Sequence, residues 1–318
     1  MNKILETTKY VEENSKFVKI NQNALAAFSR QLDCGNAQHW LSNIPIGFPK
    51  YSQEEKLNFL LLFNAISFSF WGEPNWTTEH EGTKSNGALG MVMALDNAIS
   101  GGTQILSFDF CSKISREEFA SIFQSDAVIP LLDERWKIVR DLGSKIMTRF
   151  AGKASGLVEE SEGDAQKLVS LLQIYFSSFS DSSGYKGREV FFSKRAQLLV
   201  SDIYRLFDGK GYGELKYIDQ LTACADYKLP RLLRRYGILE YATELSDRVD
   251  QLIEIPHGSE EEVEIRANTI WVIEYLKKEL LTRFPTVTSM EINDYIWLAS
   301  QEKILNEKPY HRTRTIAY

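Results

Sequence analysis

Glu260-Glu261-Glu262-Val263-Glu264-Ile265-Arg266-Ala267-Asn268-Thr269-Ile270-Trp271-Val272-Ile273-Glu274-Tyr275-Leu276 opens the longest helical pattern in the chain, which runs on to Arg283. Ile265, Ile270, Val272, Ile273 and Leu276 form an apolar face and many charges lie opposite, as expected of a helix packed on a core. Glu260 to Glu262 follow Gly258-Ser259 in the first turn, where the helix dipole favours negative charge. They read as a solvated acidic cap, with Glu264 and Arg266 further in, where either can face a pocket.

Outward from this stretch the helical reading spreads over most of the 318 residues. Thr7 to Phe17, Asn21 to Leu32, Lys84 to Ser100, Leu131 to Phe150, Ser161 to Phe176, Val190 to Phe207 and Asp219 to Ala225 all carry it. Ser52-Gln53-Glu54-Glu55 resembles a capping box ahead of Leu57-Asn58-Phe59-Leu60-Leu61-Leu62-Phe63, and Ser115-Arg116-Glu117-Glu118 marks another helix start. Strand signals are thin: Thr103 to Phe108 alternates weakly, and Trp76-Thr77-Thr78-Glu79 suits a short strand or a turn. The expected fold is all-α, mainly helical with few short strands, in a single domain over 1–318. A split into two lobes near residue 180 is the alternative.

A hydrophobic fraction of 43% with 25% charged residues is that of a globular protein. The net charge of -6 argues against a broad grip on nucleic acid, which needs a basic face, while leaving room for a small phosphorylated ligand. Cys34, Cys111 and Cys224 are odd in number and far apart, and the histidines at 39, 80, 257 and 311 have no zinc spacing. No disulfide scaffold and no metal are expected. The N-terminus has no signal-peptide run, and Leu57 to Trp71 is too short and too polar to span a bilayer. A cytoplasmic location follows as the default.

Three constellations bear on chemistry. In helical geometry Asn64, Phe68 and Trp71 share a face, an amide with two aromatic planes that suit a heterocyclic base or simply fill a core. Lys194, Arg195, Asp202 and Asp226 stand in apolar surroundings, where charges need partners. An Arg195–Asp202 or Lys194–Asp226 ion pair tying helices together is the plain structural reading. The functional one has Asp226 stabilise an oxocarbenium ion or activate water at a sugar carbon, with Lys194 beside it. Tyr227, Lys228 and Arg231 add phosphate-binding donors, or merely a helix end. The tail Tyr310-His311-Arg312-Thr313-Arg314-Thr315-Ile316-Ala317-Tyr318 is dense in donors and is expected to dock back onto the body.

At these segments the chain resembles the queuosine salvage proteins, the queuosine 5′-phosphate N-glycosylase/hydrolase family. The likeness rests on Asn64 to Trp71, Lys194 to Asp202, Leu221 to Pro230, Gly258 to Ala267 and His311-Arg312-Thr313-Arg314-Thr315, and covers roughly residue 50 to the C-terminus. It departs at Ala223, where the family commonly has a bulkier residue, and the first fifty residues match weakly. The resemblance implies a helical fold related to helix-hairpin-helix DNA glycosylases. It implies cleavage of the N-glycosidic bond of queuosine 5′-monophosphate to queuine and ribose 5-phosphate, with no cofactor and no stable nucleic-acid partner. Asp226 matches the family's catalytic aspartate and Lys194 its active-site lysine. Asn64, Phe68, Trp71, Asp202, Tyr227, Lys228 and Arg312 are the substrate-binding candidates. A DNA or RNA base glycosylase and a non-catalytic binder of a modified nucleotide are the rival readings.

Overall fold

The computed structural model describes residues 2–34, 39–44, 48–302, 304, 305 and 307–318. Fourteen α-helices among these residues carry the fold: α1 (Lys3–Asn14), α2 (Gln22–Gln31), α3 (Gln53–Ile66), α4 (Gly87–Ser100), α5 (Phe108–Lys113), α6 (Arg116–Ile122), α7 (Leu132–Phe150), α8 (Ser155–Glu160), α9 (Ala165–Tyr175), α10 (Lys194–Leu206), α11 (Lys228–Arg235), α12 (Thr243–Asp250), α13 (Glu260–Leu280) and α14 (Ser289–Ala299). The strands are short and form three antiparallel ribbons. β1 (Val18–Ile20) pairs with β6 (Leu239–Tyr241), β2 (Thr77–His80) with β3 (Thr83–Asn86), and β4 (Ser182–Tyr185) with β5 (Arg188–Phe191). The fold is mainly helical, as read from the sequence.

Two helices organise the interior. Residues 57 to 66 of α3 are all buried, so this helix is enclosed on every face and runs through a core shared with α4, α5, α7, α9 and α10. Its start is the expected capping box: Ser52 N donates to Glu55 Oε2 at 2.8 Å and Glu55 N to Ser52 Oγ at 3.2 Å. α13 is the axis of a second core with α1, α2, α11, α12 and α14. A small third cluster, Trp71, Tyr227, Ala317 and Tyr318, joins the tail to the body. The tail docks as expected: Ser69 N donates to the Tyr318 carbonyl at 2.8 Å and Ser69 Oγ to that of Thr315 at 2.7 Å. No helix among the described residues is long and apolar enough to cross a membrane.

Several expected helices are shorter, each for a local reason. α3 stops at Ile66 because buried Arg135 takes the carbonyls of Ile66, Phe68 and Ser69, and Ser69 turns at φ 38° toward the tail. Asn64, Phe68 and Trp71 therefore do not share a helix face. Asp219 to Ala225 is not helical beyond the short turn Ile218–Gln220. Thr222 N donates to Gln197 Oε1 at 2.8 Å and Cys224 N to Asn293 Oδ1 at 2.9 Å, so neighbouring amides satisfy this extended backbone. The Val190 to Phe207 pattern divides into β5 and α10 at Ser193, whose φ is 53°. Ser161 to Phe176 yields α9, capped by Asp164, and Lys84 to Asn86 belong to β3 rather than α4. The weak alternation at Thr103 to Phe108 makes no strand, since Ser107 caps α5 there.

The acidic cap also needs correcting. Glu262 is fully buried, accepting from Gly258 N at 3.1 Å and lying 3.7 Å from Arg266. Glu264 and Arg266 are likewise buried, and neither reaches the cavity described below. Glu264 instead gathers the N–H groups of Lys16, Phe17 and Val18 where the chain enters β1.

Candidate active site

A cavity opens where the apolar clusters meet. Trp40, Phe63, Phe68 and Trp297 give it aromatic walls, and Lys194, Asp226, Lys228, Asn293 and Asp294 put polar groups on it. Tyr227 and Tyr318 close another side. Flat rings with a few convergent polar groups are the composition of a small-molecule site.

The extended segment after Leu221 delivers Asp226 to the start of α11. There Asp226 Oδ1 accepts from Lys228 N at 2.8 Å and Leu229 N at 3.0 Å, which fixes the carboxylate at the start of the helix. Its second oxygen has no protein partner among the described residues. Lys194 is the first residue of α10, only 7% exposed, and its Nζ forms neither hydrogen bond nor ion pair among the described residues. Neither expected ion pair forms. Lys194 does not bond Asp226, and Arg195 turns from Asp202 to the carbonyls of Asn64, Ala65 and Ser178. An ammonium and a carboxylate, both buried and both open to one cavity, are poised for a ligand.

The other candidates divide between wall and support. Phe68 lines the cavity, with the guanidinium of Arg135 4.2 Å from its ring centroid. Tyr227 and Lys228 line it too; burial raises the Tyr227 phenol, and burial followed by Arg231 lowers the Lys228 ammonium. Asn64 and Asp202 stand behind the wall, where Asn64 Nδ2 donates to Asp202 Oδ2 at 2.8 Å. Trp71 is also off the wall, its Nε1 donating to the Thr313 carbonyl at 3.3 Å and its ring stacked by Arg314 at 3.6 Å. Arg312 is bound to Glu73 and does not line the cavity.

Sequence reasoning missed a carboxyl–imidazole cluster. His39 Nε2 lies 3.5 Å from both Asp202 Oδ1 and Asp294 Oδ2, and Trp40 Nε1 donates to Asp202 Oδ1 at 2.8 Å. Burial pushes Asp202 up to about 7. Burial and then the neighbouring Asp202 push Asp294 up to about 8, while burial drives His39 down to about 3. At neutral pH the cavity therefore meets a protonated Asp294 backed by a neutral imidazole. A signal for Asp294 existed: Met290, Asp294 and Trp297 share a helical face, so an acid sits among apolar residues. His39, a lone histidine outside any pattern, had none.

Comparison with known proteins gives the family. The family model described as "Queuosine salvage protein" matches residues 48–318. The "Queuosine 5'-phosphate N-glycosylase/hydrolase" of Sphaerobacter thermophilus is 38% identical over 315 residues, 99% of this chain and 97% of that protein. Those of Mus musculus and Dictyostelium discoideum are each 30% identical, over 98% and 99% of this chain and 98% of each relative. The similarity thus reaches into the first fifty residues as well. The chain belongs to the queuosine salvage protein family.

Proposed function

We propose that this protein hydrolyses the N-glycosidic bond of queuosine 5′-monophosphate, releasing queuine and ribose 5-phosphate for reuse in tRNA modification. The observation that carries the reading is Asp226, anchored through one carboxylate oxygen, on a cavity shared with Lys194, where the other oxygen and the Lys194 ammonium have no partner among the described residues. The 7-deazaguanine base lies among Trp40, Phe63, Phe68 and Trp297, with Asn293 and protonated Asp294 reading its edge. As the bond from C1′ to nitrogen lengthens, positive charge grows on the sugar and the Asp226 anion stabilises it. Water oxygen bonds to C1′, a water proton is given up, and the base leaves with the bonding electrons and gains a proton. Lys194 and Lys228 supply positive charge for the phosphate, with Tyr227 beside them. Asn64 and Asp202 act through Trp40, and Trp71 with Arg312 through the tail. The three free cysteines fit a reducing, cytoplasmic setting.

Asp226→Asn keeps the shape and the two amide contacts but removes the charge. Release of queuine, followed by chromatography, should fall by more than about 10²-fold while substrate binding changes little. Turnover near the wild-type rate would remove Asp226 from this role.

A further inference from the structure

Arg266 and Asp181 make a buried ion pair that does not itself line the cavity, yet each holds a segment that does. Arg266, in α13, has no exposed surface, and Asp181, just before β4, is 5% exposed. Arg266 Nη1 and Nη2 donate to Asp181 Oδ1 and Oδ2 at 2.8 and 2.7 Å, a bidentate fork. Asp181 Oδ2 also accepts from Lys194 N at 2.9 Å, and the Asp181 carbonyl from Phe192 N and Ser193 N at 2.9 and 3.2 Å. Ser193 enters α10 with φ 53° and its side chain caps nothing, so Asp181 provides the cap that α10 lacks. On its other side Arg266 Nε donates to the Ala225 carbonyl at 3.3 Å, one residue before Asp226. The same guanidinium lies 4.4 Å from the ring centroid of Tyr318, on the cavity wall.

We propose that the Asp181–Arg266 pair is the positioning device of the site, holding the backbone beneath Lys194 and the backbone before Asp226 at one fixed separation. The inference rests on the roles given above to Lys194 and Asp226. Those two side chains do not bond each other, so their spacing is set by the backbones that carry them. Gln197 ties α10 to Thr222 at the start of the extended segment, and Arg266 ties it at the catalytic end. Well-packed apolar residues can replace a buried ion pair without loss of stability, but they offer no directional bonds to two separate segments. A lysine cannot reproduce the fork either, being a point charge on a flexible stem.

Arg266→Lys tests this in the full-length protein. Misplacement by about 1 Å costs on the order of 10²-fold in rate, so kcat for queuosine 5′-monophosphate should fall by about 10–10²-fold. The affinity for free queuine should stay within about threefold, because the base walls are untouched. The loss should persist at low temperature, where circular dichroism shows the variant fully folded; a purely structural role predicts recovery there. Should Arg266→Lys fail to fold, Asp181→Asn, which still offers an oxygen to Lys194 N, is read by the same criteria. A folded variant with kcat within about threefold of wild type overturns the proposal. Asp226→Asn run alongside separates the two failures. If it is inactive while folded Arg266→Lys is fully active, only the positioning role falls; if it turns over normally, the site reading falls and this inference with it.

Discussion

Asp294 reaches the cavity from α14 with Asp202 and His39 behind it, and its carboxyl, pushed up to about 8, holds a proton that the unfolded chain would release near pH 4. Between those two values the folded state binds the extra proton, so stability must fall as pH rises through the window. Asp202, pushed up to about 7, adds in the same direction. We expect Asp294 by itself to account for a loss of about 2 kcal/mol between pH 6 and pH 8, and Asp294→Asn to remove that share of the decline in urea titrations. Parallel curves for the two proteins would count against a protonated Asp294. Lys194 gives the opposite trade. Its buried ammonium has no protein partner among the described residues, so Lys194→Met should leave the melting temperature unchanged or raised while kcat/KM falls by about 10²-fold or more. Asp226 and Lys194 were legible because motif and polarity coincide on them. Asp202 was legible as a buried charge, but its place behind Trp40 depends on a loop contact 162 residues away in sequence.

Gly143 sets how closely α7 can approach α5. A Cβ there would meet Ser112 N at 2.5 Å and the Phe108 carbonyl oxygen at 2.8 Å, both backbone atoms that cannot swing aside. Gly143→Ala should therefore destabilise the protein by about 1–3 kcal/mol despite the better helix propensity of alanine, lowering the urea midpoint with an unchanged m-value. An equal or higher midpoint would mean that the two helices can part at little cost. The start of α3, with its local capping box, and the apolar stripes of α7 and α13 were legible in the sequence within a few residues. The ends that went wrong are those decided by distant groups. Arg135 ends α3 by taking its carbonyls, and Gln197 and Asn293 hold 222–224 extended. Apolar periodicity carries no record of a hydrogen bond from another helix. For the same reason Trp71 appeared to share a face with Asn64, when the tail in fact holds it.

At the scale of the whole molecule, α3 and α13 each gather a core, and the cavity forms where those cores meet the docked tail. Every wall therefore draws on residues far apart in the chain, from Trp40 to Tyr318. That is why the mainly helical class was legible from the sequence while the assembly of the site was not. Charge acts at this scale too. With a net charge of -6 the protein should not retain duplex DNA or tRNA in gel shifts at low salt, and salt-sensitive retention would favour a base glycosylase acting on polymers. The most direct test of the central claim is incubation of the purified protein with queuosine 5′-monophosphate in ¹⁸O-labelled water, with both products followed by mass spectrometry. The account predicts free queuine and ribose 5-phosphate in equal amounts, with the label on the sugar. Tight binding of the nucleotide with no release of base would contradict it.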